Sequence, residues 1–224
     1  VFVGYGNYMS KIKKKLDYKD KIKNHFDRLA PEREAWIKKS GAFYSEDIRC
    51  IKELIIPNSK VLEIGCGNGN LLASLSPSVG VGVDISKEMI SKAKSKYKNL
   101  EFIEADIEDT GCVKNLNKVF DFIIISDTIG YFKDIQKTLD MLHKVCHADT
   151  RIIVAYYSPF WEPILNLAAR IKLKMPELTK ALLNETDISS LLNSSKFETV
   201  KKQKKIIFPF KLFGVGRFVN RFLS

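Results

Sequence analysis

From Lys60 onward the chain alternates short apolar runs with longer stretches in which apolar residues recur at helical spacing. The runs cover 61–64, 79–83, 100–103, 120–125 and 151–157, and each ends in a polar or glycine-containing turn. Unbroken apolar runs of this length suit strands covered on both faces, and the helices between them supply the covers. The pattern predicts an α/β fold with a doubly wound, mostly parallel sheet.

The flanks read differently. Ahead of the sheet, Ile12, Leu16, Ile22, Phe26 and Leu29 form a helical stripe that Pro31 breaks. A second helical stretch is expected over 32–55, interrupted near Gly41, restarted by Ser45 and Asp47, and closed by Pro57. Behind the fifth strand, helices are expected at 161–172 and 187–193, then a Lys-rich, more exposed sixth strand at 198–208 and no clear seventh. In 211–224, Leu212, Val215, Val219 and Phe222 share one side of a helix with Arg217 and Arg221 opposite. The chain thus divides into an N-terminal helical cap (1–57), a sheet domain (58–209) and a basic amphipathic segment (210–224). Its first residue is Val rather than Met, and an excerpt of a longer protein is expected.

Charge changes this picture at the ends. Of the net +11, residues 1–60 carry +6 and 196–224 carry +7, while 61–195 are slightly acidic at −2. Basic ends point to an anionic surface, nucleic acid or lipid headgroups, with a solvated Lys-rich face as the bland alternative. Cys50, Cys66, Cys112 and Cys146 are scattered, without a CxxC pair or a His at ligand spacing. No metal site is expected, and reduced thiols fit a cytoplasmic protein. No run approaches the ~18 apolar residues of a membrane span.

The chemistry enters at Val61-Leu62-Glu63-Ile64-Gly65-Cys66-Gly67-Asn68-Gly69-Asn70, a strand passing through a glycine turn into a helix. Glycines let the backbone turn tightly and approach a ligand, and a helix start offers N–H groups to an anion. The spacing is not the Gly-x-Gly-x-x-Gly that cradles a dinucleotide, and the chain has no Tyr-x-x-x-Lys pair. Both facts argue against a nicotinamide dehydrogenase. What recurs instead is acid. Glu63, Asp84, Asp106 and Asp127 stand at or just past the ends of the first four strands, 21, 22 and 21 residues apart. Ligands of open parallel sheets bind outside the carboxyl ends of the strands, so four carboxylates are expected to converge on one mouth. Such a mouth repels phosphates and favours a cation that carries hydroxyls and an amine. S-adenosylmethionine has a sulfonium, a ribose diol, an adenine amine and no phosphate, and its one carboxylate can rest on the glycine turn and helix start.

Residues 45–160 resemble a class I S-adenosylmethionine-dependent methyltransferase. The resemblance lies in VLEIGCGNG at 61–69, VGVDIS at 81–86, EADIED at 104–109 and FDFIIISDTIGYF at 120–132, in this order. It implies a Rossmann-like methyltransferase fold with strand order 3-2-1-4-5-7-6 and an antiparallel seventh strand. It further implies that Gly65, Gly67 and Gly69, with Cys66 among them, meet the methionine part of the cofactor while Glu63 supports the turn. Asp84 would accept from the ribose hydroxyls and Ile85 would pack on the adenine. Asp106 would take the adenine amine, with Ile107 against the ring. Ser126 and Asp127 would stand nearest the transferred methyl.

Methyl transfer from a sulfonium is an in-line displacement with a good leaving group. Positioning can supply up to ~7–11 kcal/mol, and a base is needed only where the acceptor loses a proton. The candidate bases are Asp127 and Tyr131. His143 and His147 are expected at the surface or in packing, His25 in the helix over the site, and Tyr44 as a cap.

The turn Ser126-Asp127-Thr128-Ile129 lacks the Pro-Pro-aromatic sequence of amino-methylating nucleic-acid enzymes, and no Pro-Cys nucleophile is present. No specific nucleic acid is therefore expected. A small-molecule, lipid-linked or glycan acceptor is expected, with an RNA or protein methyltransferase, or a membrane-associated cofactor-binding module without turnover, as alternatives. HFDRLAP at 25–31 and YSPFWEP at 157–163 are similar to a prokaryotic subgroup whose methyltransferase domain adjoins a polyprenyl-phosphate-type glycosyltransferase. That similarity implies fusion to, or association with, a glycosyltransferase. Phe208, Phe210, Phe213, Phe218 and Phe222, interleaved with Lys and Arg, suit peripheral contact of 208–224 with the inner face of the membrane. The alternative is a connector whose apolar face packs on a part of the longer protein beyond this sequence.

Overall fold

The computed structural model describes residues 18–204, apart from the side chains of residues 42 and 43. Residues 18–29 are helical (α1), and Pro31 opens a short 3₁₀ turn over Ala30–Glu32. Helices α2 (Arg33–Lys39) and α3 (Gly41–Lys52) follow, so the expected interruption falls at Ser40 and no restart at Ser45 is needed.

Five strands then alternate with helices: β1 (Lys60–Ile64), α4 (Asn70–Ser74), β2 (Val79–Asp84), α5 (Lys87–Lys96), β3 (Glu101–Glu104), α6 (Thr110–Asn115), β4 (Phe120–Ser126), α7 (Ile135–Leu142) and β5 (Cys146–Ala155). Helices α8 (Glu162–Arg170) and α9 (Glu185–Ser194) complete the described chain. All four strand pairings are parallel, in the order β3-β2-β1-β4-β5. This order places β1 and β4 side by side, with the connections that follow them leading to opposite sides, β1 to β2 and β4 to β5. A crevice opens at such a reversal, outside the carboxyl ends of the strands.

The sheet is covered on both faces, as the unbroken apolar runs require. Leu62, Ile64, Val81, Val83, Ile123 and Ile125 pack with residues of α6, α7 and α9. Their neighbours Val61, Phe122 and Ile124 pack on the other face with residues of α3, α4 and α5. Phe120 and Phe122 join opposite faces because the β4–β5 register shifts between them.

Two expectations need correction. β5 begins at Cys146, five residues before the apolar run at 151, because as the outermost described strand it is half-exposed and its first residues are polar. Residues 198–204 carry no strand; instead Lys202 and Lys204 reach Glu185 at 3.5 and 2.7 Å. The remainder of the expected sixth strand (205–208), the 210–224 segment, and the stripe residues Ile12 and Leu16 lie outside the described residues.

Candidate active site

The glycine turn is pinned to the second strand. Gly65 and Cys66 donate their N–H groups to the Val83 carbonyl at 2.7 and 3.1 Å. Gly65 and Gly67 have φ of +76° and +51°, a region that costs a glycine little. At Gly65 a second constraint acts, because a Cβ there would lie 2.0 Å from Oγ1 of Thr128. Around Gly67 a Cβ would meet nothing within 4 Å, and the residue borders a cavity of about 160 Å³. The next cavity, about 20 Å³, has room for little more than one water.

The large cavity gathers most of the expected site. Gly65, Gly67, Asp84, Ile85, Asp106 and Ile107 line it, as do Ser126, Asp127 and Tyr131. Glu63, Cys66 and Gly69 do not. Glu63 is 4% exposed and its Oε2 accepts the Leu72 N–H at 2.9 Å. It caps α4 from beneath the turn, so three of the four expected carboxylates line the cavity, and one N–H of the helix start is already taken. Cys66 is buried, with its sulfur close against Gly82, where a Cβ would lie 2.8 Å from it.

Each remaining acid is positioned by local backbone. Asp84 Oδ2 accepts from Gly67 N and Oδ1 from Ser86 N, both at 2.8 Å. A carboxylate oxygen has two lone pairs, so both atoms keep acceptor capacity. Asp106 Oδ1 accepts from Glu108 N at 3.0 Å and from Lys19 Nζ at 3.0 Å. Asp127 follows β4 with φ +53° and donates its N–H to Ala155 at 2.9 Å. Among the described residues, none donates a hydrogen bond to its carboxylate.

Helix α1 lies over these groups. Lys19 pairs with Asp106 and Glu108, Lys23 with Glu104 at 2.7 Å, and Ile22 and Phe26 line the cavity. Asp27 accepts the Ser86 hydroxyl at 2.6 Å and Glu88 N at 3.1 Å, while Ser86 itself caps α5. His25 Nε2 lies 3.1 Å from the Pro176 carbonyl, joining α1 to the segment after α8. Much of 25–31 is thus accounted for by holding this cover in place.

Phe132, Tyr157, Leu165, Ala168, Leu173 and Met175 add aromatic and apolar surface to the lining, beside the charged Lys174 and Glu177. Phe26 meets Tyr131 edge-to-face, ring centroids 5.5 Å apart. Glu177 pairs with Lys174 and Lys180, and both lysines also approach the Tyr157 ring. Arg33 donates to the Tyr44 hydroxyl at 3.2 Å and reaches Met175 Sδ at 3.3 Å. Its Nε is buried with no partner among the described residues.

Burial dominates the electrostatics. It pushes the Asp127 carboxyl up to about 7; Lys180 opposes this, while Asp47 and Glu177 add to it. Burial likewise carries Glu63 up to about 8 and raises Asp84, and Arg33 opposes the rise at both. The Tyr131 phenol is driven far up by burial, with Glu177 and Asp127 adding. A phenol so placed keeps its proton near neutral pH. His143 stacks on Phe197 and His147 sits 3.0 Å from Asp121, both away from the cavity as expected.

Lys19, Arg33, Thr128, Tyr157, Lys174 and Glu177 were not expected at the site. Tyr157 had a signal in YSPFWEP, and Thr128 in the turn after β4. Arg33 had none, because its partners Tyr44 and Met175 lie 11 and 142 positions away.

A family described as a methyltransferase domain matches residues 55–207. The chain belongs to that family. It is a class I S-adenosylmethionine-dependent methyltransferase. Demethylmenaquinone methyltransferase of Staphylococcus saprophyticus is 27% identical to it over 164 residues, 70% of each chain. Malonyl-[acyl-carrier protein] O-methyltransferase of Acetivibrio thermocellus is 26% identical over 205 residues, 81% of this chain and 70% of that one. An uncharacterized protein of Methanocaldococcus jannaschii is 29% identical over 131 residues, and there this methyltransferase spans 60% of the relative's length. Magnesium protoporphyrin IX methyltransferase of Synechocystis, solved with bound SAH, shares the fold at TM-score 0.66 and 17% identity, covering 86% of this chain and 95% of its own. A methyltransferase structure from Thermotoga maritima gives TM-score 0.64 at 18% identity, covering 80% and 82%. No helix among the described residues is long and apolar enough to cross a membrane.

Proposed function

We propose that this methyltransferase acts on a small, largely apolar acceptor that carries an ionisable hydroxyl or carbon acid, and that Asp127 is its base. The observation that carries the reading is the lining of one cavity. Asp84, Asp106 and Asp127, carried at or just past the ends of strands, share its lining with aromatic and apolar side chains that α1, the chain just past β5, α8 and the segment after it contribute.

The sheet end fits S-adenosylmethionine residue by residue. Asp84 has acceptor capacity for the ribose diol, Asp106 for the adenine amine, and Ile85 and Ile107 offer apolar faces to the ring. Gly67 leaves open space beside the turn. The unpartnered Nε of Arg33 suits the methionine carboxylate, a role first expected of the α4 start, part of which Glu63 occupies. The donor supplies an activated methyl on a positively charged sulfur. Everything else falls to the chain: α1 and the aromatic wall exclude water, and the cavity orients the acceptor. Asp127 is the group whose raised pKa lets it take a proton near neutral pH. Tyr131 contributes shape and a hydroxyl that donates to the Leu178 carbonyl at 3.4 Å.

The names of the two relatives, one a demethylmenaquinone enzyme and one a malonyl-carrier enzyme, agree with a non-nucleic-acid acceptor. Methyl-labelled donor incubated with separated lipid, glycan, RNA and protein fractions tests the reading. Label in a lipid or small-molecule fraction that depends on Asp127 supports it. Label confined to RNA or protein overturns it.

A further inference from the structure

Helix α8 has one broad apolar arc, and only one edge of it is used. Leu165 and Ala168 line the cavity. Beside them Phe160, Ile164, Leu167 and Ile171, spaced by 4, 3 and 4 residues, form a continuous stripe that leads to Leu173, itself part of the cavity lining. These five are 80, 40, 59, 57 and 40% exposed. Singly exposed apolar residues are ordinary, but a contiguous row on one helix marks a contact surface.

The surroundings decide which contact. From 160 to 173 the sole acid is Glu162, at the start of α8, while Arg170 and Lys172 stand at the end; Lys174 turns to Glu177 at the cavity. Lys38 and Lys39 of α2 add to this margin, and the Lys39 ammonium reaches the Lys172 carbonyl. Both tryptophans of the chain border the same helix. Trp161 immediately precedes α8, and Trp36 lies under the Lys39 ammonium, 5.3 Å from its ring centroid, beside the other end. An apolar stripe with a basic rim and indoles at both ends has the chemistry of a helix lying in a lipid headgroup layer.

We infer that α8 docks this methyltransferase on an anionic bilayer, its outer stripe in the headgroup layer and its inner edge lining the acceptor cavity. A lipid-soluble acceptor would then pass from the bilayer to Asp127 alongside one helix. The inference rests on the apolar-acceptor reading above but concerns a different segment from the tail at 208–224.

The test uses the full chain and vesicles of phosphatidylcholine with phosphatidylglycerol, some carrying brominated acyl chains. The native tryptophan emission is expected to shift blue and be quenched by the bromines, more weakly at high salt. Leu167→Ser combined with Ile171→Ser is expected to weaken vesicle partition on the order of tenfold or more, since two large side chains leave the contact. Its S-adenosylmethionine affinity and melting temperature are expected to stay at wild-type values. Phe218→Ser with Phe222→Ser serves as the tail control and should retain most of the partition. Unchanged partition of the α8 variant, or a tail variant that accounts for the whole loss, overturns the proposal. So does a stripe that pairs two copies, seen as concentration-dependent mass in lipid-free solution without bromine quenching. Donor titration without vesicles is read separately, so failure of the methyltransferase reading would not be confused with failure of docking.

Discussion

The two ends of the cavity are built by different means. At the donor end, Gly65–Gly67, Asp84, Asp106 and Asp127 each follow a parallel strand, and short backbone hydrogen bonds fix the first three of these stations. Beyond the sheet, residues from α1, α2, α3, α8 and the segment after α8 meet across long sequence separations, as in the contacts Arg33–Met175 and His25–Pro176. The donor end is a property of the sheet. The proposed acceptor wall depends instead on how helical segments distant in sequence pack over the sheet, and on the proposed reading it is where specificity can change without disturbing the fold.

The sharpest way to separate the two ends is Asp127→Asn. Asn tolerates the left-handed backbone at this position, so the fold and the donor end should survive. Turnover is expected to fall by about 10²–10⁴-fold, the usual worth of a general base, while donor affinity stays within about threefold. In the wild type, activity should rise with pH through about 7, and that limb should vanish in the variant.

A smaller loss is expected from Asp84→Asn, which weakens the acceptor set beside the turn. Removing a charged hydrogen bond is worth about 1.5–3 kcal/mol, so donor affinity should drop roughly ten- to a hundredfold by calorimetry, with circular dichroism confirming the fold. Arg33→Met should cost about tenfold in donor affinity if its Nε meets the donor carboxylate, and nothing if it only supports Tyr44 and Met175.

Stability should show the donor end's acids without any ligand. Glu63 and Asp127 have folded pKa values near 8 and 7, above their unfolded values, so between pH ~4.5 and ~8 the folded state holds protons that the unfolded state has lost. Stability is therefore expected to fall as pH rises through this window and level off above it. Glu63→Gln keeps an acceptor for Leu72 N and has no proton to lose, so it should flatten part of the slope in pH-dependent melting.

How much of this was legible follows the same division. Asp84, Asp106 and Asp127 could be placed in advance because a strand–helix repeat of about 21 residues returns the chain to one edge. The direction of Glu63 could not, because strand position fixes which end a residue occupies but not whether its carboxyl turns to the cavity or to Leu72 beneath it. The rise of the Tyr131 pKa depends on burial under Phe26, which belongs to another helix. Arg33, Lys174 and Glu177 carried no local signature, since their meaning comes entirely from what folds against them. β5 began early because an outer strand needs less apolar sequence than an inner one.

Calorimetric titration of the full chain with S-adenosylmethionine, run beside NAD in two buffers of different ionisation enthalpy at about pH 6.5, puts the acidic cavity to its most direct trial. One saturable site for the sulfonium compound is expected, with net proton release as its charge draws Asp127 into its ionised form, and no heat from the pyrophosphate-bearing NAD. Tighter binding of NAD, or no binding of S-adenosylmethionine by a folded chain, would contradict the account.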